Sequence, residues 1–250
     1  MSKKGVKMST SKRQEQILEL LNKNGFMTVK KLSQLTYTSE SSIRRDLTKL
    51  QNMYFIKRTH GGANILNANQ VAPLQNRLSQ NTAAKRKIAK KAEHLICDGQ
   101  IIMLDGSSTA GFLIPYIAKH KDITLFTNNM ITALNAINYG IKTHCVGGGS
   151  VNNSAVLSGP QSYRVISEIH PDILFFSSYA LDKNGIISDP TEEENYLRSL
   201  MLGNTKQSVF LCDSEKFNRK SLYTLASIND IDIAIFDTVW KELNSKCKIL

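Results

Sequence analysis

The sequence predicts an α/β protein of two unlike parts. A winged helix-turn-helix is expected at residues 1–65 and a Rossmann-like α/β domain at residues 83–250, with a polar linker at residues 66–82. Three observations carry this. Residues 1–65 hold 13 Lys/Arg against 4 Asp/Glu, a net of +9, so residues 66–250 contribute only +2 to the formal +11. The first part shows helical periodicity and then a Gly-Gly hairpin signal. From Gln100 onward, continuous apolar runs alternate with amphipathic stretches, the pattern of a parallel sheet covered on both faces.

The basic excess at one end calls for a polyanionic partner. A membrane surface is the rival of nucleic acid, but the basic segment lacks the Trp/Phe-rich face of an interfacial helix. No apolar run approaches the ~18 residues of a membrane span. The basic start MSKKGVKMSTSKR leads into no apolar core, so it is not read as a signal peptide, and a cytoplasmic protein is expected.

Ser9 to Asn24 predicts a first helix with Ile17, Leu18, Leu20 and Leu21 on its apolar face and Gly25 as its C-cap. Phe26-Met27 is a short extended link, and Thr28 is the N-cap candidate for a second helix, Val29 to Leu35. Thr36-Tyr37-Thr38 forms the turn and Ser39 caps a third helix reaching Leu50. Two short helices across such a turn make a helix-turn-helix. In the third helix Ile43, Leu47 and Leu50 recur at i, i+4, i+7, while Ser41, Arg45 and Thr48 project oppositely, with Arg44 and Lys49 on the flanks. Alone, this helix fits a solvated face as well as a major-groove face. Small hydroxyls allow close approach, and Arg can grip guanine or phosphate.

The segment after this helix decides between them. Phe55 to His60 predicts a strand, Gly61-Gly62 a hairpin turn, and Ala63 to Ile65 the return strand. Such a wing places Lys57, Arg58 and His60 beside flanking phosphates. The expected DNA-binding set is therefore Ser39, Ser41, Ser42, Arg44, Arg45, Thr48, Lys49, Lys57, Arg58, His60, Gly61 and Gly62. Asp46 lies nearer the apolar stripe. It reads as a structural acceptor for a basic residue of the same domain, with acidic readout of cytosine as the alternative.

Leu66 to Thr82 is polar, holds Pro73 and lacks sustained periodicity, as a hinge would. Ala83 to Ile96 predicts a helix buried along Ile88, Ala89, Ala92, Leu95 and Ile96, with its lysines on a solvated face. Beyond it QIIMLDG, ITLFTNN, KTHCVGG, DILFFSSYAL, QSVFLCD and DIAIFD read as strands. TAGFLIPYIAKH (broken at Pro115), MITALNAIN, SYRVISEI and EENYLRSLMLGN read as helices. Polar residues gather at the strand ends. They are Asp105, Gly106, Ser107, Ser108 and Thr109 after the first strand, Thr127, Asn128 and Asn129 after the second, Gly147 and Gly148 after the third, and Lys216 after a later one. In open α/β sheets ligands bind outside the carboxyl ends of the strands. A Gly-Ser-Ser-Thr turn offers N–H groups and hydroxyls to an anion, Lys216 offers it a charge, and Asp105, Asn128 and Asn129 can orient hydroxyls. Cys97, Cys145, Cys212 and Cys247 are too scattered for a metal or disulfide framework, so neither is expected, and no cofactor is. Cys97 and Cys212 sit in apolar runs and are expected to be buried.

The stretch RQEQILELLNKNGFMTVKKLSQLTYTSESSIRRDLTKLQNMYFIKRTHGGA resembles the DNA-binding domain of the DeoR/GlpR family of bacterial transcriptional regulators. Ser39, Glu40, Ile43, Arg44, Arg45, Asp46 and Leu47 match its recognition helix. Thr38 stands where an apolar residue is usual, and Ser42 where Thr is. The order LDGSST, TNN, GG, SGP, GI, DSEKF is similar to the family's sensor domain, which is related in fold to ribose-5-phosphate isomerase. The resemblance implies phosphate at Gly106–Thr109 and sugar contacts near Asn128, Asn129, Gly147, Gly148 and Lys216. It implies a regulator, expected to repress carbohydrate genes, whose partners are a double-stranded DNA operator and a phosphorylated sugar effector, working as a homodimer or homotetramer without a membrane. The alternative is a sugar-phosphate isomerase with a DNA-binding appendage, using Asp105, Asp189, Glu192–Glu194 or Asp213 as base.

Overall fold

The computed structural model describes residues 12–52, 56–65, 74–243 and 245–250. Two compact units divide the chain, Met1–Gln70 and Val71–Leu250. Ser9 to Ser11 of the expected first helix, Phe55 of the wing and residues 66–73 of the expected linker lie outside the described residues.

The first unit runs α1 (Lys12–Asn24), β1 (Phe26–Thr28), α2 (Val29–Leu35), α3 (Glu40–Asn52), β2 (Ile56–Thr59) and β3 (Gly62–Ile65). Its helix ends fall where their capping chemistry puts them. Gly25 takes φ 68 and donates its N–H to Leu21 O at 2.8 Å. The Thr28 hydroxyl accepts from Lys31 N at 3.2 Å, and the Ser39 hydroxyl accepts from Ser42 N at 3.3 Å. Ile17, Leu21, Leu32, Ile43, Leu47 and Leu50 are fully buried together with Ile56 and Ala63. Each large aliphatic contributes about 1.5–3 kcal/mol by leaving water.

The hairpin turn sits one residue earlier than expected. Thr59 pairs with Gly62, which leaves His60 and Gly61 as the turn, and Gly61 supplies the positive φ of 80. Gly62 instead opens β3, which also pairs antiparallel with β1. A Cβ there would strike the Met27 carbonyl and come within 2.7 Å of the Phe26 ring. The extended link Phe26-Met27 is thus the third strand of a small sheet in the order β1-β3-β2.

The second unit begins with α4 (Leu74–Ser79), inside the stretch expected to be linker, and α5 (Thr82–Ala92). It continues β4 (Ile101–Leu104), α6 (Ser108–Gly111), α7 (Ile114–Ile117), β5 (Thr124–Thr127), α8 (Met130–Asn138) and β6 (Lys142–Cys145). Next come β7 (Gly149–Ser150), β8 (Leu157–Ser158), α9 (Pro160–Glu168), β9 (Ile173–Phe176), β10 (Ala180–Leu181), β11 (Ile186–Asp189) and α10 (Glu192–Asn204). The unit ends with β12 (Ser208–Cys212), β13 (Tyr223–Ser227), β14 (Ile233–Phe236) and β15 (Lys248–Ile249). Seven strands form a parallel sheet in the order β15-β14-β12-β9-β4-β5-β6. Successive side chains enter opposite cores. Ile102, Leu104, Phe175, Leu211 and Ile235 face one, while Met103, Leu174, Phe176, Phe210 and Phe236 face the other. Strand order reverses between β4 and β9, the topological switch point where such sheets open a crevice.

Several expectations fail against this topology. DILFFSSYAL is not one strand: the sheet strand ends at Phe176, and β10 joins a separate sheet, β10-β11-β13. The two-residue strands were illegible because they carry no period. Lys85 is only 3% exposed, so α5 does not keep all its lysines in water. Cys212 is buried as expected, and burial pushes its thiol up. Cys97 is exposed, because the chain turns immediately after Ile96 and Cys97 N bonds Gln100 Oε1 at 2.8 Å.

Candidate functional site

In the first unit, α3 buries Ile43, Leu47 and Leu50 completely and leaves Ser39, Ser41, Arg44, Arg45, Thr48 and Lys49 exposed, with Ser42 half-buried. The hydroxyls are mutually organised. Ser39 Oγ lies 3.1 Å from Ser41 Oγ and donates to Ser42 Oγ at 3.0 Å, and Arg45 Nη2 donates to Ser42 Oγ at 3.3 Å. Lys57, Arg58 and His60 are exposed on the wing. Arg58 Nη1 donates to Thr48 Oγ1 at 3.0 Å, which ties wing to helix. Gly62, expected among the DNA contacts, is fixed by its close packing on β1. Asp46 is the structural acceptor expected. It is buried, takes Arg13 Nε at 2.5 Å and Gln14 Nε2 at 3.2 Å, and holds the Arg13 guanidinium above its ordinary range through that hydrogen bond.

In the second unit the loop after β4 lies at the switch point, and Asp105 through Thr109 are buried. Asp105 was expected to orient a ligand hydroxyl, but its carboxylate is engaged within the protein. Oδ1 accepts Ser107 N at 3.2 Å and Ser107 Oγ at 2.5 Å. Oδ2 accepts Ser177 N at 3.3 Å and Arg198 Nε at 2.9 Å. Arg198 reaches Asp189 Oδ2 at 2.7 Å and Glu194 Oε2 at 3.6 Å. Burial opposes the Arg198 charge, yet Asp189, Asp105 and Glu194 hold it above its ordinary range. Burial pushes the Asp189 and Glu194 carboxyls up and the nearby Arg77 guanidinium down. Lys85, buried and near Lys216, is pushed down to about 8; its ammonium donates to Arg77 O and to Gln80 O.

Lys216 joins the same centre. Its ammonium donates to Ser177 Oγ at 2.7 Å and lies 3.6 Å from Asp213 Oδ2. Asn129 caps α8, accepting from Ile131 N and Thr132 N, and its amide donates to Gly106 O at 3.1 Å. Thr127 Oγ1 accepts from Asn129 N at 3.2 Å. Asn128 donates to Leu157 O at 2.9 Å and pins the segment whose Val156 covers Gly106; a Cβ on Gly106 would lie 2.6 Å from Val156 Cγ1. Among the described residues, the buried side-chain atoms without a hydrogen-bond partner include Thr109 Oγ1, Asn128 Oδ1, Arg77 Nε and Asp213 Oδ2.

Gly147 and Gly148 follow β6, beside the end of β5, where Val146 N donates to Thr127 O at 3.0 Å, and they lie four strand spacings from the β12 end that carries Lys216, roughly 19 Å at ~4.8 Å per strand. Their φ values of 77 and 105 let the chain turn under β8 and α9, where Gly147 O accepts Ser162 Oγ at 2.5 Å and a Cβ on Gly148 would strike Ser162.

Comparison with known proteins fits both units. Residues 13–69 match the DeoR-like helix-turn-helix domain, and residues 80–238 match the DeoR C terminal sensor domain. The chain belongs to the DeoR family of transcriptional regulators. It is 34% identical to an L-fucose operon activator of Haemophilus influenzae, covering 90% of this chain and 91% of that one. It is 33% identical to a putative aga operon transcriptional repressor of Escherichia coli O157:H7, covering 91% and 86%. Among solved structures, ribose 5-phosphate isomerase A of Methanocaldococcus jannaschii superposes with a TM-score of 0.42 at 19% identity, covering 55% of each chain.

Sequence reasoning missed the Arg198 centre of this DeoR-family sensor, and with it Ser177, Arg77 and Lys85. One signal was present: Arg198 stands on the stripe of Leu197 and Met201, both buried, where a solvated charge has no place.

Proposed function

We propose that the protein is a DNA-binding repressor of carbohydrate genes whose operator affinity is set by a phosphorylated sugar, and that it catalyses no reaction. The observation that carries the DNA reading is α3: one face fully dehydrated, the other presenting Ser41, Ser42, Arg45 and Thr48, with Lys57 and Arg58 of the wing alongside. Helix side chains read base edges and wing cations grip phosphates. A palindromic operator requires at least two copies.

The effector reading is supported by the strand-end centre. Unpartnered buried polar atoms cost about 1–3 kcal/mol each. A ligand rich in hydroxyl and phosphate oxygens can satisfy Thr109 Oγ1, Asn128 Oδ1 and Arg77 Nε while Lys216 balances its charge. A ligand that binds better to one arrangement of the regulator shifts the population towards it and alters operator affinity by the same coupling energy. Against catalysis stands the engagement of the carboxylates. Asp105, Asp189 and Glu194 are all ion-paired to Arg198, which leaves none of the three as a free base.

A thermal-shift screen with pentose and hexose phosphates tests this, followed by gel shifts on DNA upstream of the neighbouring genes. One sugar phosphate should raise the melting temperature and release the DNA, whereas the unphosphorylated sugar does neither. Lys216→Ala should keep operator binding and blunt release. Normal release by this variant, or turnover of any sugar phosphate, would overturn the reading.

A further inference from the structure

The turn between α2 and α3 holds a side chain that the fold does not use. Tyr37 is 97% exposed, the most exposed of the large apolar and aromatic side chains among the described residues. Its backbone stands at φ 50. Among the described residues, the others outside glycine with a positive φ are Asn81, Asp122, Asn152 and Asn218, whose short polar side chains tolerate it. A bulky aromatic residue there is strained, and no burial of the ring offsets that strain. The turn is nonetheless braced. Tyr37 N donates to Gln34 O at 3.4 Å and Thr38 N to Ser33 O at 3.1 Å. Neighbouring hydroxyls tie both flanks: Thr36 Oγ1 donates to Leu32 O at 2.8 Å, Thr38 Oγ1 to Thr36 O at 3.0 Å and Ser33 Oγ to Thr38 O at 2.5 Å. The ring is carried into solvent on a fixed base, two residues before Ser39, the cap of α3.

We propose that Tyr37 is a contact to the DNA backbone, its phenol O–H donating to a phosphate at the edge of the groove that α3 enters. The contact rests on the regulator reading, and Tyr37 lies outside the DNA-binding set expected from the sequence. Residues 1–65 carry the net +9, and Lys30 and Lys31 of α2 are exposed, so the partner of this unit is a polyanion. In a helix-turn-helix the first helix crosses the phosphate backbone and the second sets its N-terminal residues on base edges. The turn that joins them therefore lies at the lip of the groove, among phosphates. A phenol suits that place, with one uncharged donor at the tip of a flat ring. Tyrosine hydroxyls bond phosphate oxygens, whereas the bidentate readers of base edges are Arg, Lys, Asn and Gln. A tyrosine has only two side-chain torsions to fix, so on a braced turn it loses little freedom on docking.

The test measures the affinity of the full chain and two variants for two duplexes over a salt series, one duplex from upstream of the neighbouring genes and one of unrelated sequence. Tyr37→Phe keeps the ring and should weaken binding to both duplexes about threefold, the contribution of one neutral hydrogen bond. Tyr37→Gly should weaken both about tenfold. It should also hold or raise the urea midpoint of the first unit, since glycine takes a positive φ freely. In both variants the slope of affinity against salt should match the parent's, because a phenol, unlike a lysine or arginine, releases no counterion. Parent-like affinity in both variants overturns the contact and leaves the regulator reading intact. Loss confined to the upstream duplex makes Tyr37 a base reader and overturns the phosphate assignment. A lower midpoint in Tyr37→Gly puts the ring in the service of the fold and overturns it too. A parent that binds neither duplex removes the regulator reading and the contact with it.

Discussion

The recognition surface and the strand-end centre both depend on arginine, but they use it in opposite ways. On α3, Arg45 is exposed, and among the described residues its hydrogen bonds are long ones to Ser41 O and Ser42 Oγ, at 3.5 and 3.3 Å. It is organised but available. In the sensor, Arg198 is buried and commits its guanidinium to Asp105, Asp189 and Glu194. The first arginine can serve a partner because the fold does not need it. The second serves the fold, by holding the loop that carries Gly106 to Thr109. The largest expected effect is therefore at Arg198. Replacing it with Met leaves three buried carboxyls without their cation. Loss of one partner from a buried ion pair costs about 3–5 kcal/mol, so the urea midpoint of the second unit should fall steeply. A midpoint within error of the parent would mean that the centre carries little of the fold's stability and would erase the contrast.

Buried charge also leaves a pH signature that exposed charge does not. Burial, reinforced by Lys216, lowers Lys85 from 10.5 to about 8 in the folded chain. Below pH 8 both states hold the proton and the folded state bears the whole penalty. From about 8 to 10.5 the unfolded chain binds more protons than the folded one, so this contribution to stability rises with pH and then levels. The parent-minus-variant difference in unfolding free energy for Lys85→Met should therefore increase across that window, at a slope of at most roughly 1.4 kcal/mol for each step of one in pH. A flat difference would place Lys85 in water.

Arg45→Ala examines the other side of the comparison. Stability should change by less than about 0.5 kcal/mol, as for other exposed substitutions, while operator binding weakens by about 1–3 kcal/mol. A gel shift indistinguishable from the parent's would remove Arg45 from the groove.

The same contrast explains what was legible. The DNA-binding unit could be read along the chain because its signals are local: Gly25, Thr28 and Ser39 cap helices within four residues, and the Ile43-Leu47-Leu50 stripe repeats at helical spacing. Even Asp46 declared itself by lying on the apolar side. The parallel sheet was legible from its apolar runs, and Lys216 and the loop after β4 from their places at strand ends. The centre that joins them was not, because Arg198 meets Asp105 across 93 residues and Lys216 meets Ser177 across 39. No period along the sequence encodes such pairs. At Gly147 and Gly148 the strand-end glycines do mark a close approach, and the group that approaches is the protein's own β8 and α9.

The smallest expected effect sharpens the comparison most directly, because it concerns an ion pair that lies on the recognition helix itself. Arg44 Nη2 sits 3.2 Å from Glu40 Oε2 with both side chains about half exposed. An exposed i,i+4 pair contributes about 0.3–0.5 kcal/mol, and Glu40 adds a favourable charge in the first turn of α3. Glu40→Gln should thus lower the stability of the first unit by at most about 1 kcal/mol, a fraction of the Arg198→Met loss. Its effect on DNA should have the opposite sign. In the proposed operator complex Glu40 would place an anion near the phosphates, and it occupies Arg44, so its removal should tighten binding, most visibly at low salt where phosphate contacts dominate. Gel shifts over a salt series measure this. If Glu40→Gln instead weakens binding at every salt concentration, the pair is preorganising Arg44 as Asp105 organises the sensor loop, and the two regions would be built on the same principle after all.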